Sequence, residues 1–387
     1  MIPDMAKSSE KDGLRTWIEI DRKAIRHNFR VFKGLIPKKT RLMAVVKSNA
    51  YGHGLFDFSR EMERLGADFL GVDSIVEARA LRQDGIKTPI LVLGYTMPEL
   101  FSEAAENAIS VTVSSAEALR HIARGKRFKK PLKVHIKVDT GMHRQGFLPS
   151  DIATVLSVLN AKRFTLNASA EGLYTHFASA KNPAFPHDTL AQIAEFGKWV
   201  SAFRDAGLTP IAHASASAGT LLFPESYFDM VRVGIGLYGL WPAKEVRASK
   251  GEQVTLKPAL AWKSFISEIK KLPKGSRVGY DLTEVLPYDG LVATVPIGYW
   301  HGYPRALSSI GRVLVKGQLS KVIGRVSMDM LTIDVSSVRS PHVGDEVVIL
   351  GQNGDSPASA EGIATLTDAS WYEVVTRINP LIKRIYR

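Results

Sequence analysis

Residues 42–73 read LMAVVKSNAYGHGLFDFSREMERLGADFLGVD. The first six residues are an apolar, strand-like run that ends on Lys47, and a turn rich in Gly and Asn follows at once. Residues 55–66 then place their apolar side chains at helical spacing, and 68–73 form a second apolar run. A strand, a crossover helix and a second strand make a parallel pair, and the same unit recurs along the chain. Strand-like runs fall at 42–47, 68–73, 89–94, 109–113, 133–139, 171–176, 211–215 and 229–235. Amphipathic segments such as SIVEARALRQDG, SAEALRHIARG and DIATVLSVLNAK separate them. Eight such repeats predict a closed (β/α)8 barrel, a TIM-like α/β fold.

The pattern changes near residue 250. From there the runs SRVGYDL, GLVATVPIGYW, GRVLVKG, VIGRVSMDMLTIDV and GDEVVILG are bounded by Gly, Pro and Asp turns, with almost no helical periodicity. This reads as a mostly β C-terminal domain over 251–387 after a barrel over 21–250. The WIEI run at 17–20, within an N-terminal segment 1–20, is expected to join that β domain.

With 387 residues the chain has material for two cores, and 45% hydrophobic with 23% charged residues is the composition of a soluble globular protein. No long uncharged apolar run offers a membrane span, and the opening MIPDMAKSSEKDG lacks the apolar centre of a signal peptide. A cytoplasmic enzyme is the expectation. The chain has no cysteine, so disulfides and thiolate metal sites are excluded, and its ten histidines show no ligand spacing, so no metal is expected. A net charge of +13 raises the question of nucleic acid. The densest basic run, residues 124–130, reads better as a solvated loop between a helix and a strand, so neither nucleic acid nor membrane is expected as a partner.

In a barrel of this kind the active site lies at the carboxyl ends of the strands, with phosphate usually held after the seventh and eighth. Lys47 ends the first strand, His176 the sixth, Ser217 follows the seventh, and Arg232 to Ile235 end the eighth. A lysine amine at a partly desolvated mouth is placed to hold a carbonyl cofactor as a Schiff base. A small-residue turn with open backbone N–H groups suits a phosphate dianion. Each residue also has an ordinary reading. Most lysines at strand ends are solvated, His176 and His213 suit hydrogen-bonded core positions, Ser217 suits a helix cap, and Arg232 suits a partner for a barrel carboxylate. Together, at these strand ends, they favour a phosphorylated cofactor.

The stretches AVVKSNAYGHG, KVDTGMHRQGF, EGLYTHFASA, VRVGIGLYG, GYDLT, VPIGYWHGYPR, GRVSMDM and SWYEVVTRI resemble the successive signatures of the alanine racemases, fold-type III pyridoxal phosphate enzymes. The resemblance runs from about Trp17 to Ile385. It implies a barrel followed by a β domain, in a head-to-tail homodimer whose active sites each draw on both chains. The implied activity is two-base interconversion of L- and D-alanine, supplying D-alanine for peptidoglycan.

Residue by residue, the resemblance makes Lys47 the Schiff-base lysine and the base on one face of the substrate Cα. Tyr280, from the partner's β domain, is the base on the other face, with His176 beside it. An ordinary tyrosine pKa of about 10 means that this base needs help near neutrality. Arg232 matches the arginine facing the pyridine nitrogen, and His213 the histidine that orients it. A guanidinium is a permanent donor, so the ring nitrogen stays unprotonated and side reactions such as transamination are discouraged. Tyr51, Ser217, Gly234, Ile235 and Tyr372 match the phosphate contacts. Arg144 and the partner's Met328 match the pair that fixes the substrate carboxylate. Tyr299 matches a gate residue, and Lys137 a lysine that some members carry as a carbamate.

Three positions depart from the common pattern. Ala216-Ser217 replaces Asn-Ser, which removes a side-chain amide near the phosphate. Trp300-His301 replaces Ala-Asp after the gate, and Ser327 stands where some members have cysteine. The rival readings are a racemase of serine or of a broader range of amino acids, a fold-type III decarboxylase, a cofactor carrier built on the barrel alone, and a nucleic-acid-binding module. The C-terminal β domain argues against the carrier, and a tyrosine base paired with an arginine at the ring nitrogen argues against the decarboxylase.

Overall fold

The computed structural model describes residues 11, 13–124, 127–351 and 356–387. The rest of the opening segment, and Gly125 and Lys126 of the basic run, lie outside the described residues. The chain divides into two compact units. One comprises residues 24–50 and 55–257; the other comprises the residues up to Lys23, Tyr51–Gly54 and Pro258–Arg387.

The first strand, β1 (Thr16–Ile20), belongs to the second of these units. Eight further strands build the barrel: β2 (Arg41–Val45), β3 (Phe69–Val72), β4 (Ile90–Val92), β5 (Ile109–Val113), β6 (Leu132–Lys137), β7 (Ala168–Tyr174), β8 (Ile211–His213) and β9 (Met230–Val233). They are parallel and neighbour one another in chain order, with β9 returning to β2. Across that return Met43 faces Arg232. The remaining seam is drawn together by Asp229 N–H donating to Ala212 O and Arg232 N–H donating to Ser215 O, both at 2.9 Å. The result is a nearly closed barrel.

Alternation of apolar strands and amphipathic helices produces this architecture directly. Leu55–Arg64 turns Phe58 and Met62 inward, and Ile75–Gln83 does the same with Ile75, Ala78 and Leu81. The long helix His187–Asp205 buries Phe196, Trp199 and Phe203, each worth roughly 1.5–3 kcal/mol of apolar burial. Inside the barrel Met43, Phe69, Leu91 and Met230 form one packed cluster.

Strand ends differ from the sequence reading in one consequential place. β2 stops at Val45, and Lys47 opens a turn in which Ser48, Asn49, Ala50 and Tyr51 all have φ between 49° and 55°. Left-handed backbone costs a non-glycine residue roughly 1–2 kcal/mol, so this turn must be held from outside. Ala50 N–H donates to Val46 O at 2.9 Å, and the Glu77 carboxylate accepts Ser48 N–H at 2.7 Å. Asn49 closes the next corner by accepting Leu55 N–H at 2.9 Å. Lys47 therefore stands beyond the strand rather than in it. His176 likewise follows β7, which ends at Tyr174.

The second unit is mostly strands. β1 pairs antiparallel with Leu260–Phe265 and parallel with Lys383–Tyr386, inside a six-stranded sheet. A three-stranded sheet of Glu268–Leu272, Gly290–Val295 and Leu331–Asp334 lies in the same unit. The run at 322–335 is strand only in its second half. Ser327 N–H donates back to Met330 O at 2.9 Å, which makes the SMDM segment a turn. Among the described residues no helix is long and apolar enough to cross a membrane.

Candidate active site

Lys47 Nζ lies 3.2 Å from Asp73 Oδ1, and the two side chains are 37% and 56% exposed. Exposed pairs of this kind contribute about 0–1 kcal/mol, so the amine is steadied without being locked away from a reactant. Glu77 holds both partners. One of its oxygens accepts Ser48 N–H and the other accepts Asp73 N–H at 2.8 Å. Glu77 itself is fixed because it sits in the first turn of a helix whose cap, Ser74, accepts its N–H at 3.4 Å.

Arg232 is buried in β9 and its guanidinium is nearly surrounded. Nη1 donates to His213 Nδ1 and to His213 O, each at 3.0 Å. Nη2 donates to Thr175 O at 2.8 Å, to Ala214 O at 2.9 Å and to His176 Nδ1 at 3.1 Å. None of these acceptors is a carboxylate, so the arginine is not the half of an ion pair. Burial brings its pKa down to about 10, which still leaves it charged at neutral pH. Nε, the remaining donor, has no hydrogen-bond partner among the described residues. Burial and the charge of Arg232 push His176 down to about 3. Its imidazole is thus neutral, with Nδ1 accepting.

Lys137, the last residue of β6, is buried and donates to Gln145 Oε1 at 3.1 Å. Burial first, then the nearby charges of Arg144 and Arg232, bring its amine down to about 8. Arg144 itself is exposed on the loop after β6. That loop is shaped by Asp139, whose carboxylate accepts the N–H groups of Gly141 at 2.9 Å and His143 at 3.0 Å.

Ser217 is the first residue of a short helix, Ser217–Leu222, while the cap position is Ala216, which makes no side-chain cap bond. Ser217 Oγ instead accepts Gly234 N–H at 3.0 Å, joining the turn after β8 to the turn after β9. Ile235 follows directly. Gly236 is required by space, because a Cβ there would lie 2.3 Å from the Phe32 ring. The barrel thus brings Lys47, Lys137, His176, His213, Ser217, Arg232, Gly234 and Ile235 to one end, with Arg144 on a loop at that end.

The other expected residues lie in the second unit. Tyr51 and Tyr372 meet there, with ring centroids 6.2 Å apart, and burial raises the Tyr372 hydroxyl. Tyr299 N–H donates to Ser327 O and Trp300 N–H to Met328 O, both at 3.0 Å, so Tyr299 and Met328 share one corner. Tyr280 rides a turn in which Gly279, Asp281 and Leu282 all have positive φ, and that turn is tied to the same corner by an Asp281–Arg325 ion pair at 2.7 Å. His301 is turned inward, its Nδ1 accepting Gly298 N–H at 3.1 Å. Trp300 is exposed and, with Tyr299, lines a cavity of about 850 Å³ within this unit.

Asp73, Glu77, Gln145, His135 and Glu171 were not legible as site residues. Glu77 carried a usable signal, since Ser74-x-x-Glu77 before an apolar run is a capping signature. Glu171 carried a weaker one, a carboxylate inside a strand of the barrel.

The chain matches the family models for the alanine racemase N-terminal domain over residues 20–242 and the alanine racemase C-terminal domain over residues 259–386. It is 38% identical over 376 residues to an alanine racemase of Desulforamulus reducens, a match covering 96% of this chain and 98% of that protein. Among solved structures, an alanine racemase of Clostridium difficile superposes with a TM-score of 0.89 at 33% identity, covering 97% of this chain and 96% of the other. The alanine racemase of Bacillus anthracis with bound L-Ala-P gives a TM-score of 0.89 at 34% identity, covering 96% and 95%.

Proposed function

This chain belongs to the alanine racemase family, and we propose that it interconverts L- and D-alanine with pyridoxal 5′-phosphate, using one base from each of two chains. It is an amino-acid racemase, an isomerase, by that membership. The observation that carries the cofactor reading is Arg232: a buried guanidinium bound only to neutral acceptors, with Nε left over. A single fixed donor beside a neutral histidine fits a pyridine nitrogen, which accepts one hydrogen bond. The other residues fit the group as well, with an accessible amine on Lys47 for its aldehyde and the Ser217, Gly234 and Ile235 turns for its phosphate. Tyr51 and Tyr372 would hold the same phosphate.

Bound there, the cofactor would draw electrons from an attached amino acid and make its Cα hydrogen removable. Lys47 would take or return that proton on one face of the Cα. Tyr280 of the partner subunit would serve the opposite face, and Arg144 with the partner's Met328 would hold the carboxylate. The homodimer, the cytoplasmic setting and a supply of D-alanine for peptidoglycan belong to the same proposal.

Lys137 has a defined part. With an amine at about 8, roughly a tenth is neutral at pH 7. A neutral amine adds to carbon dioxide, forming an N–C bond and releasing one proton, to give a carbamate. That would place a negative charge beside Arg144 in place of a positive one, and steady the arginine for a substrate carboxylate.

Incubation of the purified protein with pyridoxal phosphate and a panel of L-amino acids, followed by chiral analysis, tests the proposal. D-alanine should accumulate from L-alanine until the two are equal. Racemisation confined to serine or basic amino acids, or release of carbon dioxide, would replace the reading.

A further inference from the structure

A file of polar side chains crosses the interior of the barrel, where folds of this kind usually stack apolar layers. It begins at Arg232 and passes through His213 to His135, whose Nδ1 lies 2.8 Å from His213 Nε2. It ends at Glu171, whose Oε2 lies 3.2 Å from His135 Nε2. Both histidines are wholly buried. Glu171 also accepts Lys133 Nζ at 2.7 Å and the Ser110 hydroxyl at 2.5 Å.

The direction of every bond in the file follows from its first member. An arginine only donates, so His213 Nδ1 accepts and its proton sits on Nε2. His213 Nε2–H then donates to His135 Nδ1, which places the His135 proton on its own Nε2. That proton has one acceptor, the Glu171 carboxylate. The tautomer of each ring is thereby held from both sides, by the donor on its outer nitrogen and the acceptor on its inner one.

The barrel makes room for this file. The pairing of β6 with β7 shifts register between Val134 and His135, and a Cβ at Gly172 would lie 2.0 Å from His135 Nδ1. Tyr174 clamps the outer ring, stacked on His213 at 4.8 Å and 4°, its hydroxyl bonded to Thr112 Oγ1 at 2.8 Å. A buried polar network is tolerable only when its groups are satisfied, and here every ring nitrogen of the two histidines has a partner, leaving only Arg232 Nε, at the mouth end, without one among the described residues.

We propose that Glu171, acting through His135 and His213, is the positioning residue that holds Arg232 as a fixed donor at the barrel mouth; the catalytic part of this inference rests on the cofactor reading above. Burial alone would raise the Glu171 carboxyl, but its bonds from His135, Lys133 and Ser110 outweigh that and bring it down to about 2. The file therefore ends on a permanent anion at neutral pH. Burial lowers His135 and sends His213 well below its ordinary value, so neither ring carries charge between the two ends.

Cofactor-free protein labelled with 15N-histidine reads the rings directly by NMR at pH 7. His213 and His135 should both be neutral with the proton on Nε2. A proton on Nδ1 of either ring, or a doubly protonated ring, would overturn the file whether or not any variant folds. Glu171→Ala should scramble the His135 tautomer and lower kcat for L-alanine about tenfold while KM moves less than about twofold, the scale of loss seen when an orienting partner is removed. Glu171→Gln keeps an acceptor oxygen and should restore most of that kcat. Wild-type kcat per folded molecule in Glu171→Ala, with unmoved ring signals, would leave Glu171 a merely structural group and overturn the proposal. Absence of racemisation in the parent protein would defeat the functional reading alone, because the ring measurement needs no cofactor.

Discussion

The barrel mouth and the corner of the β unit that carries Tyr280 and Met328 are built on opposite plans. Arg232 is buried and donates five times to fixed acceptors. Tyr280 and Met328 are 69% and 54% exposed, although the turns that carry them are tied down. The buried arginine finds all its acceptors within one chain, whereas the β unit leaves Tyr280 and Met328 open, the two residues proposed to serve a partner subunit. The contrast predicts that damage to Lys47 or Arg232 alters the proposed cofactor site itself, while damage to Tyr280 or Met328 alters turnover and leaves the fold alone.

The largest effect should come from Lys47→Ala, which should abolish turnover and covalent cofactor retention. Borohydride reduction and peptide mapping of the parent protein should find the adduct on Lys47. An adduct on any other lysine would break the comparison at its barrel end.

Tyr280→Phe should abolish racemisation in both directions and still allow Lys47 to exchange the Cα hydrogen of D-alanine with deuterated solvent. Exchange from L-alanine should be lost. Because Tyr280 is exposed, thermal stability should move by less than about 0.5 kcal/mol. Equal deuterium wash-in from both enantiomers would mean that another group is the second base.

Mixing Lys47→Ala with Tyr280→Phe sharpens the same contrast. If each site combines Lys47 of one chain with Tyr280 of the other, random subunit exchange in a twofold dimer regenerates about a quarter of the native sites. No recovery, with exchange confirmed by mass, would place both bases on one chain.

Arg144→Ala is expected to leave the cofactor bound and weaken kcat/KM by ~1.5–3 kcal/mol, the loss of a charge-assisted hydrogen bond. Unchanged kinetics would remove Arg144 from the substrate contacts.

Stability should also respond to acid. Burial holds His135 and His213 below the ordinary 6.5 in the folded chain, so the unfolded chain binds more protons and stability falls as pH drops below 6.5. Each ring should account for up to ~1.4 kcal/mol per pH unit. Glu171 adds a second loss, beginning below 4.5 and continuing toward its folded value of about 2. Urea midpoints from pH 8 to 4 check the first phase, and a flat profile would show that the rings are not held neutral.

Much of this was legible in the sequence because the barrel is written as a repeat. Each strand's apolar run and each helix's spacing is local information, and the resemblance then assigned the residues at the strand ends. The left-handed turn after Lys47 was not legible: only Asn49 and the following glycine hint at it, and it exists because Glu77, nearly thirty positions away, captures its amides. The file from Arg232 to Glu171 was hidden for a related reason. His135, Glu171, His213 and Arg232 stand on four different strands, and only barrel closure decides which of them touch. His301 looked like part of the access corridor by position alone, yet its ring is used within the β unit by the Gly298 amide.

The pairing of β1 has a consequence for how the chain is made. Ile18 lies between Trp262 and Arg384 in the same sheet, so the strand translated first of the three has neighbours that emerge last. At ~5–20 residues per second, β1 waits roughly 20–70 s for its parallel partner to be synthesised. The barrel, whose neighbouring strands mostly follow one another along the chain, has its β-strand partners by residue 233. During that interval an unpaired, apolar strand edge trails at the head of the nascent chain, the kind of segment that invites aggregation or chaperone binding. Moving residues 16–20 to the C-terminal end by circular permutation would remove the delay, and the yield of soluble protein would measure how much it matters.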